Sequence, residues 1–474
     1  MGKGIAFLPL CLVLCLADVR AQEIARNLPD APQMRLAVQS PGPMPNSPAP
    51  PPSTNTAATP SAAVADGEAM TRQQAEQLAL KNNPRISVAA LTALAQKQVV
   101  RETRSAELPN LNGNITGVDA EEASRISTGS LDASRLLYHV GAGVTLSQLI
   151  TDFGRIRNLV ASSNLQAKAA DQDAQASRED IALAADFAFY RALEAQATLE
   201  VAKSTVNARQ SVGDQVDALT ASKLRSTLDQ SFAQVNLSQA KLLQLDSQNQ
   251  YDAAMVSLNE VLGTTDDTRY QLIDDPSPPA PVAPSADAVV ALALQQRPDL
   301  LALKLNHDAD VRFARAQHDQ LLPTVSGLGV VGATPVGGSE YFITNWYGAA
   351  GVNIGIPIFN GFKFHAEASE ASLRAQASDE QSRALTDRIV RDVRTAWLAS
   401  NTAQQRMSVT SELLREANTA LDLADTRYRL GLSSIVELSQ AQLQQTQAQI
   451  EDVNARFDYE ADLATLRFQS GSQP

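Results

Sequence analysis

The chain has 474 residues, 44% hydrophobic but only 5% aromatic, with a formal net charge of −13 and a pI near 4.9. An acidic chain of this kind excludes nucleic acid as a partner, because phosphates demand clustered Lys and Arg. Length alone allows two to four soluble domains, and the scarcity of aromatics favours thin, close helix contacts over one thick core.

The first 21 residues carry Lys3, an apolar run from Ile5 to Leu16 and then Val19-Arg20-Ala21. This pattern predicts a secretory signal cleaved after Ala21. The run is too short to span about 30 Å of hydrocarbon as a membrane-anchoring helix. A lipid-modified cysteine is the other alternative, but Leu10 and Leu14 stand where a small residue is wanted before Cys11 and Cys15. Those are the only two cysteines, so the mature chain offers neither disulfides nor thiolate metal sites. Residues 22–67 are rich in Pro, Ala and Ser, with Pro48-Ala49-Pro50-Pro51-Pro52 at the centre. They predict an extended segment without a core.

From residue 68 the chain repeats itself. Leu78-Ala79-Leu80-Lys81-Asn82-Asn83-Pro84 is answered by Leu292-Ala293-Leu294-Gln295-Gln296-Arg297-Pro298, and Leu108-Pro109 by Leu322-Pro323. The offset is 214, from Pro84 to Pro298 and from Pro109 to Pro323. Gly143-Val144-Thr145-Leu146 matches Gly351-Val352-Asn353-Ile354 at an offset of 208 (143 to 351), so one length change falls in a loop between Pro109 and Gly143. The period is far beyond the 20 to 50 residues of a solenoid. It marks two equivalent halves, residues 68–263 and 286–470, joined by a Pro-rich linker over 264–285 and followed by a tail, 471–474.

Each half predicts one order of elements. A helix comes first, from about Thr71 to Ala106 and from about Ala286 to Gln320, and the Leu-Pro pair ends it. Two alternating segments follow. In one, Tyr138, Val140, Ala142, Val144 and Leu146 share a face opposite His139, Gly141, Gly143, Thr145 and Ser147. In its counterpart Val352, Ile354, Ile356 and Ile358 alternate with Asn353, Gly355 and Pro357, and form a membrane-facing row. Polar loops at about 119–134 and 333–345 separate the strands. Trp346 and Tyr347 read either as part of an aromatic belt at the bilayer surface or as loop-end packing. A proline-free stretch with a single glycine closes each half, from Arg155 to Leu262 and from Lys363 to Ser470. So long a stretch must fold back into an antiparallel pair. Arg429-Leu430-Gly431-Leu432-Ser433-Ser434 supplies one turn and Ala221-Ser222-Lys223-Leu224-Arg225-Ser226 the other. The second arm, Lys363 to Tyr428, would reach about 100 Å. Lys223 stands where Gly431 supplies the positive φ of a tight turn, which predicts a different turn in the first half.

Two strands per half give four per chain. Four strands cannot close a membrane barrel, whose smallest number is about eight. Open edges in lipid leave unpaired backbone groups that cost several kcal/mol each, so other copies must complete the wall. Three copies make twelve strands.

The chain resembles the TolC-like outer-membrane factors. The resemblance runs over about residues 68 to 470. It rests on the duplication, on the strand-to-helix junctions Leu149-Ile150-Thr151-Asp152-Phe153-Gly154-Arg155 and Ile358-Phe359-Asn360-Gly361-Phe362-Lys363, and on Arg427-Tyr428-Arg429-Leu430-Gly431-Leu432-Ser433. It implies a membrane α+β fold: a homotrimeric, twelve-stranded outer-membrane β-barrel continued by a long periplasmic α-helical barrel with an equatorial belt. The implied function is a passive exit duct of a tripartite efflux pump or type I secretion system. Its implied partners are a periplasmic adaptor (membrane fusion) protein, an inner-membrane transporter of the RND or ABC type, and outer-membrane lipid.

Near the tips, Asp422 and Asp425 lie one helical turn apart, and the repeat places Asp214 and Asp217 at the same points of the first half. The resemblance implies a constriction lined by acidic rings. Asp422, six residues before Tyr428, matches its acidic position, while Asp214 and Asp217 match only through the repeat. Such rings favour cations over anions; the alternative is ordinary solvated charge on a helix surface. The turn Arg429, Leu430, Gly431, Leu432, Ser433 resembles the family's adaptor-docking tip, with Leu224 and Ser226 as its weaker first-half counterpart.

No cofactor or metal site is expected. His139, His307, His318 and His365 are too far apart to form a local ligand set, and strand alternation turns His139 toward the lumen. No G-x-x-x-x-G-K-[ST] and no catalytic motif appears, which argues against an enzyme. A structural trimeric coiled-coil protein of the periplasm or cell surface is the competing class, and the alternating strands speak against it.

Overall fold

The computed structural model describes residues 69–119, 138–264, 269–274, 281–333 and 346–471. The expected leader with Cys11 and Cys15, the Pro-rich segment, most of both strand-connecting loops, Pro276 to Pro279 of the linker, and residues 472–474 of the tail lie outside the described residues.

The first half runs β1 (Ala69–Met70), α1 (Arg72–Asn82), α2 (Pro84–Ser105), β2 (Asn110–Asp119), β3 (Tyr138–Thr151), α3 (Arg155–Ala221) and α4 (Thr227–Leu262). The second runs β4 (Gln271–Leu272), α5 (Ala286–Gln296), α6 (Pro298–His318), a 3-10 turn (Asp319–Leu321), β5 (Thr324–Ala333), β6 (Trp346–Gly355), α7 (Lys363–Arg429) and α8 (Ile435–Ser470). The long helices match in length, 67 residues for α3 and α7 and 36 for α4 and α8. Among the described residues no helix is long and apolar enough to cross a membrane.

The first helix of each half is broken, contrary to expectation. Proline crowds the residue before it out of the helical region. Asn83 sits at φ −66°, ψ 123° and Arg297 at φ −62°, ψ 120°, and each following proline opens a new helix. The break is a docking point. Gly263 ends α4 at φ +70° and lies so close to Asn82 and Asn83 that an added Cβ would fall 2.9 Å from the Asn82 carbonyl oxygen. Gly471 ends α8 at φ +69°, with a Cβ position 3.0 Å from the Arg297 nitrogen. At both points the backbone conformation and the close approach require glycine.

β2-β3-β5-β6 form one antiparallel sheet in that order. β1 and β4 form a separate parallel pair. In the four-stranded sheet Leu111, Ile115, Val144, Leu146, Val331, Val352 and Ile354 share one face and are exposed. Asn110, Asn112, Asn114, Thr116, Thr145, Ser147, Ser326 and Asn353 lie on the other, with Leu328, Val330 and Tyr347 among them. That second face carries no charged side chain among the described residues.

Trp346 falls on the apolar face, but Tyr347 does not. Its ring lies across Gly332 and Gly143 on the polar face, so of the two readings packing fits Tyr347, and the belt stays open for Trp346 alone. Ile356 and Ile358 lie past the end of the sheet in the single chain. β6 ends at Gly355, opposite Thr324, so both isoleucines lie beyond its ladder, 63% and 92% exposed. On the β5 side the next residue is Pro323, which has no N–H to extend the pairing.

The helices pack on small residues. Ala167, Ala169, Ala182, Ala185, Ala192 and Ala202 are buried along α3, and Ala371, Ala375, Ala396, Ala403 and Ala417 along α7. Buried hydroxyls bond to neighbouring backbone, Ser162 Oγ to the Ala309 carbonyl at 2.8 Å and Ser400 Oγ to the Asp462 carbonyl at 3.1 Å. Midway along the helices sits the largest core, with Phe189, Leu193, Leu258 and Leu262 under α1 and the β1–β4 pair. Arg72 pairs there with the buried Asp186 at 3.0 Å. A second core lies under α5, with Val289, Leu300, Ile389 and Val393, and Trp397 Nε1 donates to the Ala283 carbonyl at 2.7 Å.

Candidate functional site

Both long hairpins turn at the same end, and the two turns are the same. In the first half, Lys223 N–H donates to the Thr220 carbonyl and Leu224 N–H to the Leu219 carbonyl. In the second, Gly431 N–H donates to the Tyr428 carbonyl and Leu432 N–H to the Arg427 carbonyl. These are paired Schellman closures, with Lys223 at φ +58° and Gly431 at φ +74°. The expectation of a different first-half turn is therefore wrong. A lysine accepts the left-handed conformation because the hydrogen bonds and the following helix cap hold it there. Ser226 and Ser434 cap α4 and α8 through the Asp229 and Glu437 N–H groups.

Side chains from both hairpins meet just above these turns. Val216, Ala233, Ala424, Tyr428, Ile435, Leu438 and Ala441 form a buried cluster drawn from α3, α4, α7 and α8. Arg225 clamps it. Its Nη2 donates to the Tyr428 carbonyl at 2.7 Å, and its guanidinium stacks 4.3 Å from the Tyr428 ring centroid. Tyr428 is only 2% exposed, its hydroxyl has no partner, and burial pushes its phenol above the ordinary range. This clamp was not among the expected site residues. Tyr428 stood in the quoted tip segment, but the pairing joins positions 203 apart and depends on two turns meeting in space.

The four tip aspartates divide by surroundings. Asp422 is exposed. Asp425 is half-buried, and its Oδ2 pairs with Arg429 at 2.8 Å, so one of the second-half charges is compensated within its own helix. Asp214 is exposed and accepts from Gln210 Nε2 at 2.8 Å. Asp217 is half-buried and accepts from Gln234 Nε2 at 3.4 Å, while its Oδ1 is buried without a partner. No hydrogen bond or ion pair joins one aspartate pair to the other among the described residues. Leu224, Leu430 and Leu432 are 71%, 68% and 68% exposed at the tip, an apolar surface that the single chain leaves uncovered.

Above the tip, α3 and α8 are tied by polar contacts. Arg209 Nη2 donates to Thr446 Oγ1 at 3.2 Å, Arg191 pairs with Asp458 at 3.3 Å, and the Tyr190 hydroxyl donates to Glu460 at 3.4 Å. Arg209 is 8% exposed, and burial pushes its guanidinium down to about 10. Higher up, Asp173, Glu179 and Asp180 of α3 face Asp299, beside the Arg297–Asp299 pair at 2.6 Å, and burial raises all three carboxyls. Among the described residues no group of three or more His, Cys, Asp or Glu has the arrangement of a metal site.

Comparison with known proteins gives one picture. The sequence profile of the family "Outer membrane efflux protein" matches residues 75–264 and 289–472. The outer membrane protein OprJ of Pseudomonas aeruginosa is 24% identical over 377 residues, covering 77% of this chain and 76% of that protein. The outer membrane protein TolC of Escherichia coli is 24% identical over 413 residues, covering 81% and 79%. Among solved structures, the CusC transmembrane channel superposes with a TM-score of 0.74 at 19% identity over 85% of this chain and 92% of that one.

Proposed function

The chain belongs to the outer membrane efflux protein family, and on that premise we propose that it is the passive exit duct of a tripartite efflux pump, set in the outer membrane with its helices in the periplasm. One observation carries this reading. The four-stranded sheet has two unpaired edges, β2 and β6, and an exposed apolar face, and it continues at one rim into helices of 67 residues. Open edges cannot stand in lipid, so the sheet needs further copies. A homotrimer closes a barrel of twelve strands with an uncharged lumen face at the membrane. The family's proteins are channels rather than enzymes, and the energy for export must come from an inner-membrane transporter of the RND or ABC type. A type I secretion role uses the same duct.

The tips are the periplasmic entrance in this reading. Asp422 and Asp214, both exposed, supply the uncompensated charge of the constriction. Asp425 contributes less because Arg429 holds it, and Asp217 lies partly covered beside Gln234. The exposed Leu224, Leu430 and Leu432, together with Arg429, Gly431, Ser433 and Ser226, offer the periplasmic adaptor its docking surface. Planar-bilayer recording tests the entrance. Asp422→Ala with Asp425→Ala is expected to raise single-channel conductance and weaken block by divalent cations. Unchanged conductance and block would remove the acidic ring from the reading.

A further inference from the structure

Side chains in a strand stand roughly perpendicular to their sheet, so a tyrosine on a lumen face projects into the bore by default. Tyr347 does not. One row of the sheet runs Tyr347, Gly332, Gly143, Asn114 across β6, β5, β3 and β2. The Tyr347 hydroxyl reaches over β5 to β3, where a Cβ on Gly143 would fall 2.8 Å from it. Gly332 lies under the ring and is buried, although it sits on the open face. Asn114, at the far end of the row, turns its amide away and donates from Nδ2 to Thr145 Oγ1 in the next row at 3.4 Å.

The arrangement belongs to one half only. The repeat carries Val118 to Gly332 at an offset of 214 and His139 to Tyr347 at an offset of 208. In the first half Val118 pairs with His139, where the second half pairs Gly332 with Tyr347. The tyrosine and the glycine under it are present together in one half and both absent from the other. The second glycine, Gly143, comes from the first half across the joint between β3 and β5. The row lies one pair from the end of the β5–β6 ladder, at the rim opposite the helices.

We infer that Gly332 and Gly143 form a recess that holds the Tyr347 ring flat on the lumen wall and so sets the bore near the outer mouth of the duct. In a trimer three such rings lie at one level. A side chain in the recess takes the space of the hydroxyl, and the ring must turn to another staggered rotamer, out into the lumen. Filled recesses therefore narrow the passage from three sides. Gly332 is a poor place to show this, because a Cβ there would also fall 2.8 Å from the Ala142 carbonyl oxygen, which is fixed backbone. Gly143 is freer. Apart from the Tyr347 hydroxyl, the nearest atom to its Cβ position is the Val331 carbonyl oxygen at 3.3 Å, which needs only a slight adjustment.

This inference rests on the duct reading, in which the tips limit the current, so the outer bore is read by chemical access instead. Ser147 lies on the lumen face two rows further in than Tyr347. The chain's only cysteines, Cys11 and Cys15, fall in the expected leader. Ser147→Cys is labelled from outside intact cells with maleimides carrying polyethylene glycol of graded size. Adding Gly143→Ala is expected to lose labelling by the largest probes that react in its absence, while the smallest still reacts. Adding Tyr347→Ala as well is expected to restore the large probes. Labelling that ignores Gly143→Ala, or a loss that Tyr347→Ala does not reverse, overturns the recess and leaves the duct standing. If Gly143→Ala alone fails to assemble, its rescue by Tyr347→Ala supports one shared space, and failure of both variants overturns it. A single-chain mass in detergent, or Ser147→Cys that no maleimide reaches from outside, contradicts the duct and the bore with it.

Discussion

Replacing Arg225 by alanine should loosen the entrance. Arg225 contributes a charge-assisted hydrogen bond of 2.7 Å to the Tyr428 carbonyl and a stack at 4.3 Å on its ring. The bond is worth about 1.5 kcal/mol and the half-exposed stack about 0.5 kcal/mol more. Their sum, about 2 kcal/mol, is about a thirtyfold change in the closed-to-open ratio of each joint between the two hairpins. In planar bilayers Arg225→Ala should therefore lengthen open times or raise conductance. Arg225→Lys should fall between, since an ammonium keeps the charge but not the planar stack. Tyr428→Phe is the control. It keeps the ring and the carbonyl and removes only a hydroxyl that has no partner, so the entrance should behave as in the parent chain. Wild-type gating in Arg225→Ala, or opening in Tyr428→Phe equal to it, would refute the clamp.

Glycine replacements should separate turn strain from docking. Gly431→Ala meets nothing within 4 Å and should cost about 1 kcal/mol for its positive φ, whereas Gly471→Ala adds a clash with fixed backbone at Arg297 and should cost about 2–4 kcal/mol. Denaturant midpoints followed by helical circular dichroism should show the larger loss in Gly471→Ala, and equal losses would contradict the docking of the broken helix. Stability should also rise on mild acidification. Burial raises the carboxyls of Glu76, Asp173, Glu179, Asp180, Asp186, Glu460 and Asp462. A carboxyl whose folded pKa exceeds its unfolded one holds its proton more tightly when folded, so its effect favours folding below that pKa and is lost as pH rises through it. The melting temperature should climb as pH falls from neutral toward the ordinary carboxylate range. Glu179→Gln should raise it at neutral pH and flatten the slope; a melting temperature that falls on acidification in the parent chain, or that falls at neutral pH in Glu179→Gln, would reverse the assignment.

The duplication made the large plan legible. Equal offsets gave the paired strands, the long helices and both turns, because each signal recurs and the copies check one another. The sequence also carried the break in the first helices. Asn83-Pro84 and Arg297-Pro298 obey the same pre-proline sterics as Leu108-Pro109 and Leu322-Pro323, so each first helix breaks there as well as at its end. Lys223 shows that residue preference alone does not decide a turn. The two Schellman hydrogen bonds and the Ser226 cap impose the left-handed backbone on whatever residue stands there. Ile356 and Ile358 show the limit of alternation. The pattern continues past Gly355, but a ladder needs a partner strand, and the single chain has none at that level. The Arg225–Tyr428 clamp had no local signal at all, since neither its spacing nor its residue types distinguish it before the hairpins are side by side.

The molar mass of the detergent-extracted protein, measured by light scattering with the detergent contribution subtracted, tests the incomplete sheet most directly. A mass of three chains is the predicted result. A stable, water-soluble single chain would show that the edges of β2 and β6 need no partner, and would contradict the duct.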